Sequence, residues 1–142
     1  MKLRFLCAVM CSTVIFSSST ARAEVAAGVM LGEPTGFTVR IDRFPVMGFA
    51  WSLSHKWTYL QCDYWIIHKP IPDAARLDWY LGAGGGVGLG HGDAFIGARL
   101  PIGLQAIFER KFELFGEIAP VLGLAPDVGL FINGGIGFRY IF

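Results

Sequence analysis

The sequence contains little cysteine, and the positions of its cysteines exclude the usual structural uses of that residue. Only three occur among 142 residues, at Cys7, Cys11 and Cys62. The first two lie in a leader-like segment, so the third has no partner for an internal disulfide. Cys62 also has no Cys or His neighbour at metal-ligand spacing, and we interpret it as a small apolar residue in a strand. The sequence therefore predicts neither a disulfide scaffold nor a metal site.

Long apolar runs are also missing once the first residues are set aside. Lys2 and Arg4 precede an apolar stretch of about twelve residues, 5–16, and the small-x-small sequence Ala21-Arg22-Ala23 follows it. This stretch is too short for a membrane-spanning helix, which needs about 20 apolar residues. The pattern predicts a cleaved signal peptide over residues 1–23 and export of the protein.

The chain also lacks an excess of positive charge. The mature chain, residues 24–142, would be 119 residues long (142 − 23), the size of one domain. Removal of Lys2, Arg4 and Arg22 from the 12 basic residues leaves nine against eleven acidic residues, a net charge of −2. The composition therefore offers no basic surface for nucleic acid.

The chain is nevertheless strongly apolar. Its mean hydropathy is +0.51, and 54% of its residues are hydrophobic. An exported, apolar chain without a membrane helix is typical of a transmembrane β-barrel, whose apolar residues occupy alternating positions.

Period-two alternation recurs along the mature chain. In the last segment, Ile136, Phe138 and Tyr140 lie on one face and Gly137 and Arg139 on the other. Eight segments of this kind can be distinguished: 24–32, 36–43, 46–54, 57–67, 76–89, 96–108, 112–124 and 132–142. Membrane strands need about 9–11 residues, and single-chain outer-membrane barrels have an even number of strands. We predict an all-β fold, an eight-stranded antiparallel up-and-down transmembrane β-barrel, closed by pairing of the first and last strands.

Two prolines predict a local defect between the sixth and seventh segments. Pro101 and Pro120 lie about equally far from the turn at 109–111, so they should be nearly level on paired strands. Proline cannot donate a hydrogen bond to the ladder and is expected at bulges or interruptions.

The glycine-rich stretch from Trp79 to Asp93 raises the question of a phosphate-binding loop. A dinucleotide fingerprint requires a helix after its glycines. Here the following residues, 94–108, alternate like a strand and contain Pro101. We therefore predict no nucleotide or other cofactor, and interpret the glycines as inward positions of a strand. Small barrels have little interior room, and side chains from other strands would fill it. Three glycines should form this thin wall: Gly82, Gly84 and Gly86.

Polar residues collect on the face that the alternation turns inward. Buried charges must pair, and the interior of a small barrel holds packed side chains rather than a channel. We therefore predict a structural plug of ion pairs, with Arg139 close to level with Glu113. The predicted network consists of Arg40, Asp63, Asp78, Arg99, Glu113, Glu117 and Arg139, with Asp42 on the same face.

Histidines supply the only argument for catalysis. Barrel-embedded lipid-modifying hydrolases use His with Ser, and the sequence Ser52 to His55 invites comparison. Ser54 and His55 are adjacent and point to opposite faces of a strand, and no orienting acid is evident. The leading expectation is no catalytic residue. The alternative is a lipid-modifying hydrolase or acyltransferase that uses His55 or His91.

Aromatic residues fall near the strand ends, as in the two interfacial belts of a spanning barrel. With both termini in the periplasm, the periplasmic belt would contain Phe44, Trp65, Trp79, Phe108, Phe112, Tyr140 and Phe142. The opposite belt would contain Trp51, Trp57, Tyr59 and Phe95.

Three stretches carry a family resemblance: GEPTGFTVR (32–40), ELFGEIAPVLGLAPD (113–127) and NGGIGFRYIF (133–142). Together they resemble an uncharacterised family of small bacterial outer-membrane proteins whose members look like the eight-stranded transmembrane domain of OmpA. The resemblance implies the fold and an outer-membrane location, and it implies no catalytic residue.

The C-terminal residues Phe138, Tyr140 and Phe142 also resemble the signal read by the outer-membrane assembly machinery. Gly135 stands where that signal usually has a polar residue, so the match is partial. The expected partners are therefore outer-membrane lipid and, during biogenesis, the assembly machinery and periplasmic chaperones.

The sequence favours a non-enzymatic outer-membrane barrel with a structural or surface-interaction role. A surface ligand would have only short outer loops to bind, at 33–36, 55–57, 88–93 and 125–128. A soluble periplasmic barrel for a small apolar ligand is a third possibility, and it would require polar outward faces that these segments lack.

Overall fold

A computed structural model describes residues 23–142 except Leu53, His55 and His91. The predicted signal peptide therefore lies outside the described residues. Nine strands follow one another: β1 (Val25–Glu33), β2 (Thr35–Ile41), β3 (Val46–Trp51), β4 (Thr58–Pro70), β5 (Leu77–Gly90), β6 (Asp93–Arg99), β7 (Ile102–Phe108), β8 (Phe112–Ala125) and β9 (Gly129–Ile141).

The strands close into a barrel in which every pairing is antiparallel. Each strand pairs with the next along the chain, except that β6 and β7 do not pair with each other and both lie between β5 and β8. β1 closes the barrel by pairing with β9, from Ala26 opposite Ile141 to Glu33 opposite Gly134. Because β6 and β7 are two halves of one strand between β5 and β8, the barrel has eight strands. The predicted fold class is confirmed. Within the described residues, no helix is long and apolar enough to cross a membrane.

The interruption between β6 and β7 lies at the level of the two prolines, Pro101 and Pro120. Leu100 is level with Pro120 and donates its N–H to the Pro120 carbonyl at 3.1 Å. On the other side, the Gly82 N–H donates to the Pro101 carbonyl at 2.8 Å. Neither proline can return a hydrogen bond, because its nitrogen carries no hydrogen. The predicted defect is confirmed, and it affects both neighbours of the interrupted strand.

The two ends of the barrel differ in what they carry. We call the end with both chain termini the terminal end; its turns are residues 42–45, 71–76 and 109–111. We call the other end the mouth. Its connections are Pro34, residues 126–128, and the segments that link β3 to β4 and β5 to β6.

Alternation turns an apolar face outward along every strand. On β4, four residues are exposed, whereas Gln61, Asp63 and Trp65 between them are buried; the exposed residues are Leu60, Cys62, Tyr64 and Ile66. On β8, Leu114 and Ile118 are 49% and 62% exposed while Glu113 is fully buried. Such an exterior is the reverse of a water-soluble barrel, because the large apolar side chains are outside and the charges are inside.

Large inward side chains lie against inward glycines of neighbouring strands. A Cβ atom on Gly103 would meet the Tyr80 ring, and one on Gly137 would meet the Phe115 ring. A Cβ on Gly84 would meet the Asp63 carboxylate and the Cys62 carbonyl. The glycines therefore provide the space in which the interior of a narrow barrel accommodates rings and charged groups.

Four of the eleven residues assigned to the aromatic belts lie inside the barrel. Trp51 is exposed on the outside, but Trp57, Tyr59 and Phe95 line the inside of the mouth, and Trp65 is fully buried in the interior. The alternation of β4 and β6 places these rings with Gln61, Asp63 and Arg99. An aromatic residue near a strand end belongs to an interfacial belt only if the alternation also turns it outward. Five residues of the terminal end meet both conditions and are exposed: Phe44, Phe108, Phe112, Tyr140 and Phe142.

Candidate functional site

Glu113 is the centre of the first charged cluster, near the terminal end. Its register partner Arg139 on β9 forms an ion pair with Oε1. Arg40 on β2 approaches the other oxygen, with Nη2 at 2.6 Å and Nε at 3.0 Å. One buried carboxylate therefore joins β8, β9 and β2, and each of its oxygens is matched to one guanidinium.

Other side chains complete the hydrogen bonding of these two arginines. Arg139 donates to Thr38 Oγ1 from Nη2 at 2.9 Å and from Nε at 3.1 Å. Arg40 Nη2 also lies 2.6 Å from Glu24 Oε1, at the edge of the terminal end. A charged group in a narrow interior loses its hydration, so these added partners offset part of the cost of burial.

Aromatic rings pack beneath the same arginines. The Arg139 guanidinium carbon lies 3.8 Å from the centroid of Phe115, and that of Arg40 lies 5.3 Å from the centroid of Trp65. Trp65 stacks on Tyr80 with centroids 4.1 Å apart. Contact with a ring face is favourable for a guanidinium, so the rings both fill the interior and hold the charges in place.

Arg99 is the centre of the second cluster, in the middle of the barrel. Its Nη2 lies 2.5 Å from Glu117 Oε1, and its Nη1 donates to Gln61 Oε1. Its Nε lies 3.0 Å from Asp63 Oδ1, but the two atoms are not aligned as a hydrogen bond. The Tyr80 hydroxyl donates to Glu117 Oε2 at 2.7 Å. Glu117 is therefore the better-held counter-ion of Arg99.

Gly84 makes the contact between Arg99 and Asp63 possible. These residues belong to strands β6 and β4, which lie on either side of β5, and Gly84 is the register partner of both. A side chain at this position would occupy the space of the Asp63 carboxylate. The glycine row predicted to form a thin wall thus allows one ion pair to reach across a whole strand.

The two clusters balance in charge. Three arginines and three carboxylates are buried: Arg40, Arg99, Arg139, Asp63, Glu113 and Glu117. The formal charges of these six residues sum to zero, and their side chains come from five strands, β2, β4, β6, β8 and β9. An interior filled in this way is typical of a structural plug in a small barrel.

Two acidic residues of the predicted inward face, Asp78 and Asp42, lie outside both clusters. Asp78 lies at the terminal end, where its carboxylate is 3.3 Å from His68 Nε2 and both side chains are partly exposed. Asp42 belongs to the turn after β2 and is exposed, with φ of 48°. The alternation correctly placed both residues on the inward side of their strands. Both lie so close to the terminal end, however, that the barrel wall no longer encloses them.

Polar partners without charge were not assigned a role from the sequence. Thr38, Gln61 and Tyr80 each bind a member of the two clusters. Gln105 is buried with neither its side-chain oxygen nor its nitrogen hydrogen-bonded to a described residue. The alternation in the sequence already placed these four residues on the inward face. The arginine that each one contacts depends on the register between strands, which the alternation does not determine.

A cavity of about 460 Å³ occupies the mouth, above the Arg99 cluster. Aromatic rings and three carboxylates form much of its lining: Trp57, Tyr59, Phe95, Phe131, Glu33, Asp93 and Asp127. His55 and His91, the residues of the alternative enzymatic hypothesis, lie outside the described residues.

The C-terminal aromatics lie on the outside of β9. Phe138, Tyr140 and Phe142 are all exposed, and Tyr140 and Phe142 meet edge to face with centroids 5.1 Å apart. The Phe142 N–H donates to the Val25 carbonyl at 2.9 Å, so the last residue is tied to the first strand.

The fold and its plugged interior define a class: small closed β-barrels with an apolar exterior. No protein-family model and no curated protein matches the sequence. Among solved structures, the chain is similar to the crystal structure of the N-terminal β-barrel domain of Pseudomonas aeruginosa OprF. The TM-score is 0.60 at 16% identity, and the match covers 84% of this chain and 96% of that chain. At this identity the likeness shows the barrel fold.

Proposed function

We propose that this protein is a non-enzymatic barrel of the bacterial outer membrane, with a structural or surface-interaction role and a lumen plugged by ion pairs. The observation that supports it most directly is the inversion of polarity, with large apolar side chains outside and three charge-balanced arginines inside. The similarity to the OprF barrel domain agrees with this location. The leader over residues 1–23 would supply export.

The mouth would face the outside and the terminal end the periplasm. This orientation follows from the expectation that both chain termini lie in the periplasm. Outer-membrane lipid would cover the exterior. During biogenesis, periplasmic chaperones and the assembly machinery would handle the chain, and the outward ring of Phe142 would be part of the recognised signal.

Fractionation and gel mobility test the membrane assignment. We expect the protein in outer-membrane fractions, extractable only with detergent, and we expect it to migrate differently on denaturing gels before and after heating because a closed barrel resists detergent. Recovery from the periplasm in soluble form without detergent would contradict the proposal.

Conductance tests the plug. In a planar lipid bilayer, the purified protein should insert without adding stable current steps, because paired side chains cross the lumen at two levels. Regular steps of unitary conductance would show an open pathway and overturn the structural role proposed for Arg99 and Glu117.

A further inference from the structure

The mouth cavity has the size and the lining of a ligand site. Its volume of about 460 Å³ lies within the range of small-molecule pockets, about 300–1,000 Å³, which combine apolar walls with a few polar groups. The two charged clusters below it do not extend into it. The interior of this barrel therefore changes character along its length, from a charged plug to an aromatic chamber.

Phe95 is the centre of the aromatic lining. Its ring centroid lies 5.4 Å from that of Trp57, 5.9 Å from that of Tyr59 and 5.3 Å from that of Phe131. Trp57 and Phe131 meet Phe95 nearly edge to face, whereas Tyr59 is parallel to it. These rings come from three strands or their ends, and they form one packed aromatic cluster that lines the chamber.

Gly88 is what allows this ring arrangement. It lies opposite both Tyr59 on β4 and Phe95 on β6. A Cβ atom at this position would overlap the Phe95 ring. The last inward glycines of β5 thus serve the chamber, just as Gly84 serves the Arg99 cluster.

Negative charge surrounds the rings. Glu33, Asp93 and Asp127 line the cavity, and none of the described residues that line it is Lys or Arg. Glu33 Oε2 accepts a hydrogen bond from Ser54 Oγ at 2.7 Å, so this carboxylate is fixed at the rim. The floor adds no positive excess, because two carboxylates oppose Arg99.

We propose that this chamber binds an organic ammonium group, carried by a free solute or by the headgroup of a lipid. Ring faces attract ammonium cations, and quaternary ammonium groups in particular are held in aromatic cages. Asp93 and Asp127 add long-range attraction. A hard metal ion would need several oxygen ligands at close range, whereas an alkylammonium group uses both the rings and the dispersed charges.

The chamber also contains polar groups for the remainder of such a ligand. Asn133 lies at its wall. The Tyr59 hydroxyl is buried at the inner end of the chamber, beside Arg99. This proposal goes beyond the structural role proposed above and depends on it only for the side from which the ligand enters. Binding by the purified barrel can therefore be tested independently of location.

Calorimetry with choline and its uncharged analogue 3,3-dimethylbutanol provides the test. The full chain, expressed with its leader and purified in dodecyl maltoside, avoids a detergent that carries an ammonium group. We expect saturable choline binding that weakens as salt is added, since the carboxylates are at the surface. We expect 3,3-dimethylbutanol, which has the same shape, to bind roughly tenfold more weakly or not at all.

Two variants locate the site. Phe95→Leu should weaken choline binding by roughly tenfold through loss of the central ring, and Asp127→Asn should weaken it by a smaller factor. Phe49→Leu, which removes an exposed ring from the lipid side, should leave binding unchanged. Unheated gel mobility confirms that each variant is folded, and Asp127→Asn, at an exposed loop position, keeps the test valid if Phe95→Leu does not fold.

Three results would each overturn the proposal: absence of saturable heat at millimolar choline, equal binding of the uncharged analogue, or unchanged binding by both site variants. Dihexanoylphosphatidylcholine below its micelle concentration then identifies the source. Tighter binding than choline indicates a lipid headgroup, and weaker or equal binding indicates a free solute.

Discussion

The main-chain nitrogen of Glu24 lies 2.9 Å from Oδ1 of Asp42, and the Asp42 N–H donates in return to the Glu24 carbonyl at 2.8 Å. Glu24 is also the predicted first residue after signal cleavage. Cleavage at that bond would convert its amide nitrogen into an ammonium group, and the hydrogen bond would become an ion pair.

We therefore expect the purified protein to begin at Glu24 and Asp42→Asn to reduce its free energy of unfolding by up to about 1 kcal/mol, as for an exposed ion pair. Intact-mass spectrometry identifies the first residue, and urea unfolding measures the change in the free energy of unfolding. Asp73→Asn is the matched control, since both aspartates are exposed and have positive φ, 48° and 64°, which asparagine also tolerates. An intact Met1, or equal effects of the two substitutions, would contradict this prediction.

Glu113 should be less replaceable than Arg139. Removal of Glu113 leaves two buried guanidinium groups without their shared carboxylate, whereas removal of Arg139 leaves Glu113 paired with Arg40. Breaking a buried pair costs about 3–5 kcal/mol. We expect Glu113→Leu to be the more destabilising single change in urea unfolding, and the double variant Arg139→Leu/Glu113→Leu to be more stable than Glu113→Leu. If the double variant is the least stable of the three, the pairing is not coupled as described.

Adjacent glycines on β5 provide a controlled test of the thin wall. A Cβ atom on Gly84 would overlap the Asp63 carboxylate and the Cys62 carbonyl, whereas one on Gly85 meets nothing closer than 3.4 Å. Gly84→Ala should lower the free energy of unfolding by about 1–3 kcal/mol through overpacking, and Gly85→Ala should change it little. Equal effects in denaturant titrations would mean that general glycine flexibility, and not interior space, is what matters.

Phe142 should matter more for assembly than for folded stability. Its side chain is 79% exposed on the outside and packs on Tyr140 alone among the ring contacts of the described residues. Phe142→Ala should therefore reduce the amount of protein in the outer membrane, while the purified variant refolds in detergent and keeps its heat-dependent gel mobility. Normal cellular levels combined with failed refolding would assign the residue a packing role.

Much of the fold could be predicted because a barrel strand repeats one simple rule. Alternation located all eight strands, and the equal distances of Pro101 and Pro120 from one turn gave a correct register. The charged pair of Arg139 and Glu113 followed from the same counting across the next hairpin, between β8 and β9. Contacts along neighbouring strands are the kind that sequence distance can determine.

The chamber could not be predicted because it depends on depth inside the barrel. Trp57, Tyr59 and Phe95 were assigned to a lipid-facing belt because aromatic rings near strand ends usually lie there. Their inward parity was a better guide than their residue type. The prediction that Asp78 belongs to the interior network has the opposite fault. Its inward parity was right, but its level along the barrel axis places it beside His68, in partial contact with solvent.

The Tyr80 ring over Gly103 has a consequence for how the interrupted strand resumes. Inward and outward faces recur every second residue, so alternation alone does not prevent a slip of two positions. A slip here would bring Tyr80 against Pro101 or Gln105, whose side chains would take the space that Gly103 leaves for the ring. Arg99 pairs with Gly84 before the gap and Ile102 with Leu81 after it, so no residue is gained or lost. One ring therefore preserves the alignment at the point in the wall where two hydrogen bonds are missing.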